Sequence, residues 1–198
     1  CFNADRAEFL AAQGLKRIKL ASISLTNHEL ILAAGLHFEE VILSTAMHSQ
    51  DEVQEAIDLL ASNCQKFSIL ACVANYPTKP EDANLARIDE LKRMVGDQEY
   101  GSVGFSDHAL DLDVAKAALA KGISYLEKHF TLSRHLPQIK HQMFSGGPLL
   151  TTHEISIEPH ELAELAAWRD KVSLMEGSSA FASNETELAI RDRYRHRY

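Results

Sequence analysis

The feature that most constrains this chain is a repeating alternation of short apolar runs and stretches with helical periodicity. Runs at 17–23, 41–44, 67–73, 102–105 and 123–126 read as strands. Between and beyond them, 5–13, 27–34, 49–61, 82–94, 111–120 and 159–174 read as helices. Ser49 with Glu52 forms a capping box, and Val53, Ile57 and Leu60 make an apolar stripe behind it. Gly14, Gly35 and Gly122 read as helix stops, and Leu162, Leu165 and Ala166 as the buried face of the last helix. Strands alternating with helices at this pitch make βα units and a parallel sheet. The strands are apolar throughout rather than alternating, as expected when both sheet faces are covered. No Gly-x-Gly-x-x-Gly or Walker motif follows any of them, so a nucleotide-binding doubly wound sheet lacks its signature. The fold class expected is α/β, a (β/α)8 barrel, which places its chemistry at the carboxyl ends of the strands.

Composition narrows the partners. Twenty Lys+Arg stand against 28 Asp+Glu, a net charge of −8, so a nucleic-acid partner is not expected. The only basic cluster is the short terminal stretch 191–198, inside a polar tail that begins at Gly177. No apolar run reaches the roughly 18 residues of a membrane helix, and no secretory signal pattern is visible, so the expected location is the cytoplasm. Cys1, Cys64 and Cys72 match no zinc spacing and are expected as free thiols. The chain opens on Cys1 without an initiator Met and runs straight into a helical pattern, which reads as part of a longer product.

The strand ends are polar in a way the strand beginnings are not. The first run carries Lys19 and is followed by Ser22, Ser24, Thr26 and Asn27; the second ends at Ser44 and Thr45; the third leads to Asn75, Tyr76 and Thr78. The fourth leads to Ser106, Asp107 and His108, and the fifth to Glu127, Lys128, His129 and Thr131. At the opposite ends, Lys16, Glu39, Glu40 and Lys66 read as ordinary solvating charge. A single hydroxyl after a strand commonly caps the next helix; several on one rim, beside a cation, suit a phosphate or carboxylate. Lys19 reads either as a snorkelling surface lysine or as an inward ammonium, and a barrel strand favours the second. His108 and His129 end successive strands and stand 21 residues apart, one βα unit. A lone histidine is commonly structural, but two on strands about 4.8 Å apart make a shared metal ion an equal alternative. Asp107 and Glu127 are then candidate outer partners. His28, His37, His48, His135, His141, His160 and His196 read as surface or loop residues.

The motifs KLASISLTN, VILSTAM, CVANYPTKPEDANL, GFSDHAL and YLEKHFTL, in this order, resemble the N-acetylneuraminate synthase family. That family includes the legionaminic and pseudaminic acid synthases and the spore-coat polysaccharide protein E. The resemblance covers roughly residues 1–175 and implies a (β/α)8 barrel of which this chain holds about the fourth to eighth βα units. The domain division expected is a barrel segment at 1–176 and a tail at 177–198. The implied activity is a phosphoenolpyruvate-dependent condensation with an N-acetylmannosamine-like amino sugar, giving a sialic-acid-type nonulosonate. By position, Lys19, Ser22, Ser44 and Ser106 match donor-binding residues, and Tyr76 lies where the family lines the sugar pocket. His108 and His129 match ligands of a divalent ion, Mn²⁺ or alternatively Mg²⁺, and serve with Glu127 as the catalytic group. The full-length protein is expected to be a homodimer.

The chain departs from the family pattern at defined places. Ser24 replaces an acidic residue that faces the sugar, and Ala46 a glycine. The PGPDH loop survives only as Gly147-Pro148 and His153, with Thr152 where Asp is expected. These changes leave a second reading open, a non-catalytic relative that keeps the barrel and an anion or metal site without turnover. A 3-deoxy-sugar-acid synthase is a weaker third reading, opposed by the SDH and EKH pair.

Overall fold

The computed structural model describes residues 1–135, 141–142, 149–150, 153–181 and 184–195. Five parallel strands, β1 (Arg17–Leu20), β2 (Glu40–Ser44), β3 (Phe67–Cys72), β4 (Gly101–Asp107) and β5 (Tyr125–Lys128), form one sheet in sequence order. Each crossover steps to the adjacent strand, so the sheet curls as a half-barrel with all carboxyl ends on one rim. Register is continuous: Lys19 pairs with Ile42, Leu43 with Ile69, Cys72 with Ser106, and Asp107 with Lys128.

Helices α1 (Ala4–Ala12), α2 (His28–His37), α3 (Gln50–Asn63), α4 (Ala86–Val95) and α5 (Asp113–Ala120) alternate with the strands. They bury apolar stripes against the sheet: Leu30, Ile31 and Ala34 from α2; Val53, Ile57 and Leu60 from α3; Ile88, Leu91 and Val95 from α4. All six residues of β3 are buried, which accounts for its unbroken apolar sequence. Ser49 and Glu52 form the expected capping box on α3. Beyond β5, β6 (His141–Gln142) and β7 (Leu149–Leu150) make a short antiparallel pair, followed by α6 (Pro159–Glu176) and α7 (Glu185–Tyr194).

Several boundaries differ from the sequence reading. The first strand stops at Leu20, and Ser22–Ser24 turn into a 3-10 helix. β4 runs two residues further than read, through Asp107. Residues Pro80–Asp82 form a separate 3-10 turn, so α4 starts only at Ala86. Gly35 is not a stop. A Cβ there would stand 2.7 Å from the Asn63 carbonyl oxygen, so the glycine lets α2 lie against the end of α3 and the helix continues to His37. On α6, Leu162 is half exposed and the buried pair is Leu165 and Val172; Leu165 packs with Leu112, Ala115 and Ile157. The tail folds into α7, capped by the Asn184 side chain and without buried residues. Among the described residues, no helix is long and apolar enough to cross a membrane.

Candidate functional site

The carboxyl rim encloses a cavity of about 610 Å³. Every sequence-predicted site residue lines it: Lys19, Ser22, Ser44, Tyr76, Ser106, Glu127 and the pair His108 and His129. Residues 108 and 129 lie just past adjacent β4 and β5, and their ring centroids are 5.5 Å apart. Tyr76, from the loop after β3, lays its ring over His108 at 4.1 Å and meets His129 edge-on at 6.0 Å. Burial pushes the Tyr76 phenol up to about 12, with Cys72 and Glu127 adding to it, so it remains a neutral wall.

His108 is 7% exposed, and its Nδ1 lies 2.8 Å from the Val73 carbonyl oxygen. A carbonyl only accepts, so Nδ1 carries the proton and Nε2 keeps its lone pair. Burial holds both imidazoles below their usual 6.5, so the neutral, ligating form is favoured. An ion about 2.1 Å from an imidazole nitrogen lies roughly 3.3 Å from the ring centroid, which puts two rings at about 110° on one ion about 5.4 Å apart. The observed 5.5 Å fits a shared divalent ion. Among the described residues no group of three or more His, Cys, Asp or Glu could hold a metal, so most of such a shell falls to water and substrate.

On the opposite wall, the Lys19 ammonium reaches inward from β1. It donates to the Leu20 carbonyl at 3.1 Å and lies 3.2 Å from the Glu127 carboxylate. The Ser22 hydroxyl accepts from the Ala46 backbone N–H at 3.0 Å, joining the loops after β1 and β2. Ser44 is buried, and its hydroxyl has no partner among the described residues. Ser106 and Cys72 stand side by side between β3 and β4. Burial raises the Cys72 thiol above its usual range, which keeps it protonated.

Three sequence readings need correction. Asp107 and Glu127 act on the imidazoles through charge and, among the described residues, make no hydrogen bond to them: Asp107 pairs with Lys128 at 2.7 Å, Glu127 pairs with Lys19, and the His108 ring is held by a backbone carbonyl. His48 lies in the loop between β2 and α3, as read, and is half-buried there. Its Nε2 donates to the Ser22 carbonyl at 2.8 Å, and Glu52 stands 3.5 Å from its Nδ1. Ser24 is buried and does not line the cavity. Glu40 is not solvating charge. It is buried at the opposite strand ends, where Tyr125 donates to it at 2.6 Å and Arg17 and Lys66 pair with it. Gly147, Pro148, Thr152 and His196 lie outside the described residues.

Parallel βα units with hydroxyls, a lysine and imidazoles gathered around a cavity on the carboxyl rim define a half-barrel of the (β/α) class. The model of the NeuB family matches residues 1–181, and the chain belongs to that family. It is 31% identical over 196 residues to the N,N'-diacetyllegionaminic acid synthase of Legionella pneumophila, covering 96% of this chain and 50% of that one. It is 29% identical over 189 residues to the synthase of the same name from Campylobacter jejuni, covering 94% and 52%. The fold superposes on the N-acetylneuraminic acid synthetase of Leptospira borgpetersenii, solved with citrate, at a TM-score of 0.82 and 28% identity, covering 98% of this chain and 63% of that one. The chain thus spans about half the length of the curated relatives it matches.

Proposed function

We propose that this chain is the fourth-to-eighth-unit portion of a (β/α)8 barrel that makes a nonulosonate by joining phosphoenolpyruvate to an N-acetylmannosamine-like amino sugar. The observation that carries the reading is the facing of an inward ammonium, Lys19, and two neutral imidazoles across one cavity. Lys19 with the Ser22, Ser44 and Ser106 hydroxyls holds the anionic donor, since charge-assisted hydrogen bonds are the strong ones. His108 and His129 hold a divalent ion, Mn²⁺ or Mg²⁺. When bound, it supplies Lewis acidity toward the sugar aldehyde. The residues fix donor C3 against the aldehyde carbon; a new C–C bond forms, water adds at C2, and phosphate leaves. Glu127, beside the Lys19 ammonium, is placed to take the proton from that water. Tyr76 excludes water and packs against the sugar face. The barrel segment is assigned to 1–176 and the tail to 177–198, in a cytoplasmic homodimer.

One observation favours a second reading, a relative that binds the donor without turnover. Ser24 replaces an acidic residue and is buried off the cavity, so that position offers no proton acceptor. The test joins this chain to the first three βα units of a legionaminic acid synthase and follows phosphate release with phosphoenolpyruvate, N-acetylmannosamine and Mn²⁺. Release that needs both substrates, and is lost in Lys19→Met and His129→Ala, supports the enzyme. Donor binding without release supports the second reading, and release indifferent to both substitutions overturns the site.

A further inference from the structure

The wall of the same cavity holds an ion pair to which the reading above gives no role. Asp107 and Lys128 are register partners on β4 and β5, each one residue before its histidine. Their side chains are 1% and 2% exposed, and the Lys128 Nζ lies 2.7 Å from Asp107 Oδ2. Both partners also grip Ala109, on the two peptide units that flank its Cα. Asp107 Oδ1 accepts from the Ala109 N–H at 2.8 Å, and Lys128 Nζ donates to the Ala109 carbonyl at 2.8 Å. The His108 carbonyl in turn accepts from the Thr78 N–H at 2.9 Å, and Thr78 bridges Ala109. Residue 108 is therefore fixed on both sides: Asp107 is locked to β5, and Ala109 is locked to Asp107, Lys128 and Thr78.

A buried ion pair is an expensive way to gain stability, because desolvation offsets most of the Coulomb attraction. An apolar pair of similar volume would hold two parallel strands together equally well. What it would not do is grip Ala109 at both its N–H and its C=O. We propose that Asp107 and Lys128 are positioning residues, a buried clamp that fixes the separation and ring orientation of His108 and His129. The clamp acts through the backbone that carries the rings. It rests on the metal-binding reading above for its purpose, but not for its geometry.

The test uses the chain with two double substitutions. Asp107→Leu with Lys128→Met keeps volume and removes every polar grip; Asp107→Asn with Lys128→Gln removes the charges and keeps groups able to make the same hydrogen bonds. Mn²⁺ affinity is measured by titrating free Mn²⁺ with electron paramagnetic resonance, and thermal unfolding is followed in parallel. The metal-free protein is also examined by ¹⁵N NMR of the imidazoles. The apolar pair is expected to unfold within about 5 °C of wild type. It should nevertheless bind Mn²⁺ at least about tenfold more weakly, the size of loss typical when the groups that orient a ligand are removed. Its metal-free spectrum should show His108 as a mixture of tautomers, where wild type shows one ring protonated at Nδ1. The amide pair should stay within about threefold of wild-type affinity and keep the single tautomer. An apolar pair with wild-type affinity and a single tautomer overturns the clamp, as does an amide pair that loses both. If the apolar pair does not fold, the amide pair decides. If wild type itself binds no Mn²⁺, the metal reading fails, and the tautomer comparison still decides whether Asp107 and Lys128 position the ring.

Discussion

Replacing Glu40 with Gln separates the half-barrel's two ends most cleanly, because this carboxylate sits at the strand beginnings, far from the cavity. Its side chain is 4% exposed. It receives the Tyr125 hydroxyl at 2.6 Å, Arg17 Nε at 2.6 Å, Lys66 Nζ at 3.1 Å and the Ser68 hydroxyl at 3.4 Å. Burial alone would push its carboxyl up; the Tyr125 bond and the Lys66 and Arg17 charges outweigh this and hold it below its usual value. Arg17 and Lys66 are largely solvated, so their attraction is screened and contributes little. The Tyr125 bond is sheltered, and a hydrogen bond to a charged group contributes about 1.5–3 kcal/mol. Glu40→Gln keeps the shape but turns an amide donor toward two cations, so the loss is about 2 kcal/mol at neutral pH. For a chain of this size that lowers Tm by about 4–8 °C. The pH dependence has a definite sign. A carboxyl depressed in the folded state contributes stability that is present above its unfolded value, about 4.5, and is lost as pH falls through the folded value. Urea unfolding at pH 7 and in steps down to pH 3 should show wild type and Glu40→Gln converging below pH 4.5. Equal stability at pH 7, or parallel curves down to pH 3, would refute the argument.

Other expectations follow from the same geometry. Gly104→Ala should cost about 2 kcal/mol or more in chemical denaturation, because its Cβ would stand 2.6 Å from the Tyr125 carbonyl oxygen and must force β4 from β5. Lys19→Met should weaken phosphoenolpyruvate binding in low-salt calorimetry at least tenfold, roughly 1.4 kcal/mol, while leaving Tm within a few degrees; unchanged affinity would remove Lys19 from the donor site. Because burial holds His108 and His129 below 6.5, Mn²⁺ affinity should fall less between pH 7.5 and pH 6 than two exposed imidazoles would make it fall. A fall as steep as theirs would show that the rings titrate as exposed imidazoles.

The parallel order and the rim were readable because strand polarity is one-sided here: apolar bodies end in hydroxyls, cations and imidazoles at positions that share a face in any βα barrel. Placement of His108 beside His129 needed only one βα unit of spacing and a parallel register. What the spacing did not reveal was which charge answers which. Asp107 and Glu127 both sit beside an imidazole in sequence, yet alternation along a strand turns Asp107 away toward Lys128. Glu127 faces inward and meets Lys19 from the far side of the sheet, 108 residues earlier in the chain. Glu40 was misread for a similar reason. It looks like surface charge locally, and only a tertiary partner, Tyr125, shows that it is buried. Gly35 shows a limit of local punctuation: a glycine placed for close helix approach has the same letter as one placed to end a helix.

The most direct measurement is an anomalous difference map at the manganese edge from crystals of the chain grown with Mn²⁺ and phosphoenolpyruvate. The account predicts one Mn²⁺ peak within about 2.3 Å of both His108 Nε2 and a His129 ring nitrogen, with donor density against Lys19 in the same cavity. A peak elsewhere, or donor density away from Lys19 with no ion between the imidazoles, would contradict it.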